Sequence, residues 1–171
     1  MAGEIPKPTV CRVIDTSITT IGRALAWLNV VLVVVILVQV VMRYVFGIGL
    51  VYLEELQWHL FAVLIMFGIV YGVPTNSHIR LDVLHRNFSR KTQELIEFLG
   101  ILILLLPMAY VLFYHGLDFV ESSYRVGERS DSPLGLPYRW IIKSVVPVSM
   151  GLLGLAGISR MLKALHTLIK S

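Results

Sequence analysis

Charged side chains are scarce in this chain, and long stretches contain none at all. Only 15% of its 171 residues are Asp, Glu, Lys or Arg, whereas 56% are hydrophobic, and the mean hydropathy is +0.77. A soluble domain of this size would still expose much of its surface to water, so it could not hide this much apolar material in one core. The composition therefore indicates a protein of the lipid bilayer.

Cysteine is nearly absent as well. Cys11 is the only one, which excludes an internal disulfide and any metal cluster built from cysteines. His78, Asp82 and His85 lack the close, repeated spacing that metal ligands need. The chain also lacks an internal repeat and a low-complexity linker. We therefore expect one membrane unit over residues 1–171, with no metal and no cofactor.

Four apolar runs alternate with short polar connections, at residues 24–42, 58–73, 95–120 and 140–159. The first run is rich in valine, but it is too long for a strand, and no run shows the alternation of a membrane barrel. In lipid the backbone must satisfy its own hydrogen bonds, which leaves helices. The sequence predicts an all-α, four-helix transmembrane bundle with spans at about residues 22–43, 54–74, 94–121 and 139–161.

The basic residues indicate the orientation of these spans. Lysine and arginine are most frequent in the amino-terminal segment, in the second connection and in the carboxy-terminal tail. Because positive charge favours the cytoplasmic side, both termini are predicted to be cytoplasmic. The net charge of +4 then fits contact with anionic membrane lipids, so nucleic-acid binding need not be invoked.

The segment before the first span has its own pattern. Val10, Ile14, Ile18, Ile21 and Leu25 recur at helical spacing among polar residues, which predicts an amphipathic lead-in helix at the membrane interface. About 20 residues of mixed polarity precede the first span, which is not the arrangement of a cleavable signal peptide.

Glu54 and Glu55 open the second span, a short connection after Arg43 closes the first. A charge-assisted contact between Arg43 and one of the glutamates is expected. Two interpretations of the two glutamates remain open. They could form an acidic first turn that interacts favourably with the helix dipole, or a charged contact with a partner chain. Glu94 and Glu97, at the start of the third span, are attributed to the helix dipole.

The fourth span carries small residues at close spacing. Gly151, Gly154 and Gly157 would let another helix backbone approach closely, and Pro147 would bend the helix. This face is expected to pack against either a partner subunit or the chain's own first helix, and the sequence leaves both open.

Charged residues also cluster in the last connection. Arg125, Glu128, Arg129 and Asp131 would lie outside the cell in the predicted topology. They are candidates for contact with partner proteins, where charges at the rim of an interface tune the rate of association more than its strength.

His59 and His115 support an alternative function. They lie on helices that run in opposite directions, so both rings could reach the same depth and bind a haem iron, as in a b-type membrane electron carrier. Their simpler reading is that of histidines satisfied near the membrane surface.

Several motifs resemble one transporter family when they are taken in order. Arg43-Tyr44-Val45-Phe46-Gly47 follows the first span, Glu54-Glu55-Leu56 opens the second, and His78-Ile79-Arg80-Leu81-Asp82 follows its small-residue end. Ser130 to Pro137, with Tyr138, Trp140 and Pro147 behind it, leads into the fourth span. This order over about residues 12 to 165 resembles the DctQ-like small membrane subunit of tripartite ATP-independent periplasmic (TRAP) transporters.

The resemblance implies a division of labour between three proteins. A periplasmic binding protein would deliver an organic acid transiently, and a large permease subunit would hold the substrate and sodium sites in a stable complex. The present chain would be a non-catalytic scaffold in the bacterial cytoplasmic (inner) membrane. The motifs make His78 and Asp82, in the second connection, further candidates for a structural or partner contact.

Overall fold

The described parts of the computed structural model are residues 9–75 and 88–170, and they are helical with no strand among them. The helices are α1 Thr9–Ala26, α2 Leu28–Tyr44, α3 Val51–Thr75, α4 Arg90–Gly100, α5 Leu106–Arg125 and α6 Trp140–Lys170. A π-helical segment, Ile101–Leu105, joins α4 to α5. The predicted all-α class is confirmed.

Four helical stretches are long and apolar enough to cross a membrane, as predicted. They are Thr9–Tyr44, Val51–Thr75, Lys91–Arg125 and Trp140–Ile169. Even the shortest, at 25 residues, extends about 37 Å, which exceeds the roughly 30 Å of the hydrocarbon core. The helices continue past the predicted spans at several ends, since a helix does not stop where its apolar run stops. The cytoplasmic placement of both termini stays a prediction.

The lead-in helix exists as α1, and it packs on the rest of the protein. A single turn residue, Trp27, separates it from α2 while keeping right-handed helical backbone angles. Its apolar face is partly buried, because Ile18 joins Val70, Val73 and Ala156 in one hydrophobic cluster. The periodicity that predicted α1 therefore reflects contact with α3 and α6.

Helix α6 is the centre of the bundle. It packs against α1, α3, α4 and α5, whereas α2 packs mainly on α3. The side chains of Gln39 and Gln57 hydrogen-bond to each other between α2 and α3, as polar residues commonly do between membrane helices. No residue of α2 is buried, so most of its apolar surface faces outward.

The third span changes its helical pitch near Pro107. Its first part, α4, is capped by Ser89, whose hydroxyl accepts a hydrogen bond from the Thr92 N–H at 3.3 Å. The wider π-helical turns lie just before Pro107, which has no N–H to donate and whose ring clashes with a carbonyl one turn earlier. The local widening is thus explained by the proline.

Candidate interface with partner subunits

One carboxylate organises the connection between α5 and α6. Glu55, in the first turns of α3, accepts a hydrogen bond from the Leu136 backbone N–H at 2.6 Å and another from the Ser130 hydroxyl. The Ser130 oxygen in turn accepts from the Ser132 N–H at 3.2 Å. We call residues 126–139 the cap segment. The Glu55 carboxylate holds the middle of the cap segment against the amino-terminal end of α3.

The backbone of the cap segment is shaped for this contact. A Cβ at Gly135 would collide with Ser130 and would lie 2.8 Å from the Glu55 Oε1, so a side chain does not fit there. Tyr138 has a φ of 61°, in the left-handed region that residues with a side chain seldom adopt. The segment therefore turns sharply on both sides of Leu136 before α6 begins.

A second tie holds the cap segment from α6. Lys143 forms an ion pair with Glu128, and its ammonium lies 3.9 Å from the centre of the Phe119 ring, within cation–π range. The Arg139 N–H donates to the Glu128 carbonyl at 3.2 Å. The first part of the segment is thus tied to α6 through Lys143, and its two ends are joined to each other.

The charges around Glu128 affect its ionisation. The hydrogen bond from Lys143, supported by the positive charge of Arg139, lowers the pKa of the Glu128 carboxyl below its ordinary value. A lowered pKa in the folded state means that the pair stabilises the fold at neutral pH, and that this contribution is lost as the pH falls through the lowered value. The tie therefore persists under mildly acidic conditions.

The predicted charged residues take different positions around this segment. Arg125, Arg129 and Asp131 are exposed, and Arg125 pairs with Glu121 one turn earlier on α5. Arg129 and Asp131 lie within the cap segment and Arg125 directly precedes it, and their exposure leaves all three accessible to a partner.

The first connection differs from expectation. Arg43 and Glu54 are exposed, and in the described residues Arg43 forms no ion pair with Glu54 or Glu55. The expected contact fails because Glu55 turns toward the cap segment. His78 and Asp82 lie outside the described residues.

The glycine face of α6 packs against this chain's own third span. A Cβ at Gly151 would lie 3.3 Å from the Phe113 ring, and one at Gly157 would lie 2.7 Å from a Leu105 methyl. A Cβ at Gly154 would meet no atom within 4 Å. Gly151 and Gly157 therefore do not face the chain's own first helix. A contact of this face with a partner subunit stays a prediction. Of these three glycines, only Gly154 has space beside it for an added side chain.

Pro147 is buried against a glycine of α5. A Cβ at Gly116 would lie 3.1 Å and 3.3 Å from Pro147 ring atoms, and a proline ring inside a helix cannot rotate away. Gly116→Ala is therefore expected to destabilise the protein by about 1–3 kcal/mol, the usual range for an overpacked contact. Thermal unfolding followed by circular dichroism measures this.

Gly154→Ala is the matched control. It adds the same methyl to the partner helix with no neighbour to displace, so it should leave stability unchanged or raise it by up to about 1 kcal/mol through helix propensity. Equal destabilisation by the two variants would refute the close Gly116–Pro147 contact.

A second polar cluster lies at the other end of the bundle. Arg160 of α6 donates to Glu97 with both arms of its guanidinium, at 2.7 Å for Nε, and lies 3.5 Å from Glu94. Lys163, one turn further on, pairs with Asp15 of α1. The sequence reading attributed Glu94 and Glu97 to the helix dipole and missed this cluster. The available signal was that α6 carries Arg160 and Lys163 but no Asp or Glu, so any counter-charge for them had to come from another helix.

The two histidines of the alternative function are not brought together. His59 lies on α3 beside a groove that Tyr138 and Ile142 also line. His115 is 72% exposed on α5, with its Nδ1 3.9 Å from an Asp118 oxygen. Helices α3 and α5 pack on α6 and share no substantial contact. The structure does not support a haem site between these residues.

Comparison with known proteins identifies the family. Comparison with curated proteins gave no match to the chain. The family model for the DctQ component of tripartite ATP-independent periplasmic transporters matches residues 32–167. The match includes α3 to α5, the cap segment and nearly all of α6, and it agrees with the resemblance seen in the motifs. The chain therefore belongs to the DctQ family, the small membrane component of TRAP transporters.

Proposed function

We propose that this chain is a non-catalytic scaffold for a large permease subunit, in a transporter that couples sodium entry to the import of an organic acid. A scaffold needs rigid helices and no transport site of its own. The observation that carries the proposal is the position of its ionisable groups, which are confined to the ends of the spans.

The middle of every span is free of such groups. Residues 24–42, 60–75, 98–114 and 144–159 contain no Asp, Glu, Lys, Arg or His. A pathway for sodium or for a carboxylate substrate would need charged or coordinating side chains at this depth. The binding of substrate and sodium is therefore assigned to the large subunit.

The ion pairs at both ends support a static role. Helix α6 is tied to α1 and α4 through Lys163 and Arg160, and to the cap segment through Lys143. A bundle fixed at both ends gives a permease domain a firm surface to move against. The outward apolar face of α2 offers surface for the stable contact with that subunit.

The cap segment is proposed as the contact with the periplasmic binding protein. It is fastened by Glu55 and carries the exposed charges of Arg129 and Asp131. A rigid loop loses little conformational freedom on binding, and its charges would speed a transient encounter. This assignment places the protein in the inner membrane, with the cap segment toward the periplasm.

Co-purification and uptake test the proposal together. The chain should co-purify in detergent with a large multi-span permease encoded beside it, and deletion of either protein should abolish uptake of the organic acid delivered by the binding protein. Uptake that survives deletion of the small chain would contradict the scaffold role, and so would purification of the two membrane proteins apart from each other.

A further inference from the structure

A groove of about 200 Å³ lies between the α1–α2 rod and α3. Its α1–α2 wall consists of residues on both sides of the break at Trp27, and its walls are mostly apolar. The lining residues are Gly22, Arg23, Leu25, Ala26, Asn29, Leu64, Phe67, Gly68 and Tyr71. None of them belongs to the cap segment or to the ion-pair clusters, so the groove is a separate feature of the fold.

Two glycines give the groove its shape. At Gly22 the helices touch, because a Cβ there would lie 3.1 Å from the Tyr71 Cβ. At Gly68, about one turn from Tyr71 on α3, a Cβ would meet no atom within 4 Å. The helices thus close together at one end and leave an open channel beside Gly68.

Arg23 is the charged residue among those that line the groove. Arg23 is the last charged residue before a stretch of 19 residues, 24–42, without any ionisable group. It is exposed, and no carboxylate in residues 9–75 or 88–170 pairs with it. Arg160, by contrast, forms ion pairs with two glutamates. Arg23 is therefore free to bind an anion.

The direction of the groove fits the membrane. Leu64 is seven residues before Tyr71 on α3, which places it about 10 Å further along the helix axis. A ligand bound here would have its anionic group beside Arg23 and about 10 Å of apolar chain along Gly68 and Leu64. Tyrosine is common at the depth of lipid headgroups, and Tyr71 lies near the charged end, against Gly22 beside Arg23.

We propose that this groove is a binding site for one glycerophospholipid, with the phosphate held by Arg23 and the first part of an acyl chain lying along Gly68. A guanidinium binds a phosphate through two hydrogen bonds at once. The lipid would fill the space at the α1–α2 break and fasten this rod to α3. The proposal does not depend on the scaffold role.

The test is a lipid titration followed by native mass spectrometry. The full chain, purified in detergent and stripped of lipid, is titrated with palmitoyl-oleoyl-phosphatidylglycerol. One lipid should bind more tightly than all others. Arg23→Gln should weaken it about fivefold, the effect of one basic contact with an anionic lipid. Gly68→Leu should reduce it to the level of non-specific adducts, because the new side chain enters the open channel.

Each variant has a matched control. Arg12→Gln removes an exposed arginine of the same helix outside the groove. Gly100→Leu changes a helical glycine that also has no neighbour within 4 Å. Both should bind the lipid as the original chain does. Circular dichroism confirms that each variant is folded, and Arg23→Gln, at an exposed position, tests the site even if Gly68→Leu does not fold.

Three outcomes would overturn the proposal. Diacylglycerol, which has no phosphate, could bind as tightly as phosphatidylglycerol, which would remove the role of Arg23. Inorganic phosphate could displace the lipid, which would assign the site to a soluble anion. The lipid could also be absent when the chain is purified together with the large permease subunit, which would make that protein the occupant of the groove.

Discussion

Replacing Arg160 with methionine is expected to lower the free energy of unfolding by about 3–5 kcal/mol, the usual cost of leaving a buried charge without its partner. The Arg160 side chain is 20% exposed and that of Glu97 is 19% exposed. The substitution would remove the guanidinium that pairs with both Glu97 and Glu94 on α4. Chemical unfolding in detergent, followed by circular dichroism, measures the change.

Two further variants show whether the loss comes from the carboxylates that Arg160 contacts. Arg160→Met combined with Glu97→Gln should recover part of the stability, because the carboxylate closest to the lost guanidinium is then neutral. Arg125→Met breaks an ion pair whose partners are 77% and 64% exposed, so it should cost less than about 1 kcal/mol. Similar losses for Arg125→Met and Arg160→Met would show that Arg160 is not in a shielded network.

Replacing Glu55 with glutamine is expected to release the cap segment from the end of α3. The glutamine amide keeps one oxygen, so it cannot accept hydrogen bonds from Ser130 and Leu136 with two separate oxygens as the carboxylate does. Backbone amides of residues 130–136 should then exchange with deuterium about tenfold faster, since a charge-assisted hydrogen bond is lost. Exchange followed by mass spectrometry measures this.

The effect on transport follows from the proposed contact with the binding protein. In cells that carry the whole transporter, Glu55→Gln should reduce uptake severely while the protein still inserts. Glu54→Gln is the matched control, because Glu54 is the exposed neighbour on the same helix turn. Normal exchange and uptake in the Glu55 variant, or equal losses in both, would contradict the role given to the cap segment.

The fold class and the four spans were predictable because composition alone determines them. A run such as residues 24–42 has no ionisable group, and in lipid such a run has few alternatives to a helix. The lead-in helix was also predictable from its periodicity. What periodicity does not give is the neighbour of its apolar face, which is α3 and α6 in addition to any lipid.

The contacts of the candidate site could not be predicted from the sequence, because they join residues that are far apart along the chain. Glu55 and Leu136 are 81 residues apart, and Arg160 and Glu97 are 63 residues apart. The helix dipole explained the glutamates locally, so nothing in the neighbouring sequence required a distant partner. Gly116 and Pro147 likewise meet only because α5 and α6 pack closely. Such pairs depend on helix packing, which local patterns do not encode.

We propose that this chain supports the large permease subunit as a scaffold and does not transport solute itself. Reconstitution of the purified chain alone into lipid vesicles, with an imposed inward sodium gradient and a labelled organic acid outside, tests it most directly. We expect no accumulation above protein-free vesicles, and accumulation when the large permease subunit and loaded binding protein are added. Sodium-dependent accumulation by the isolated chain would contradict it.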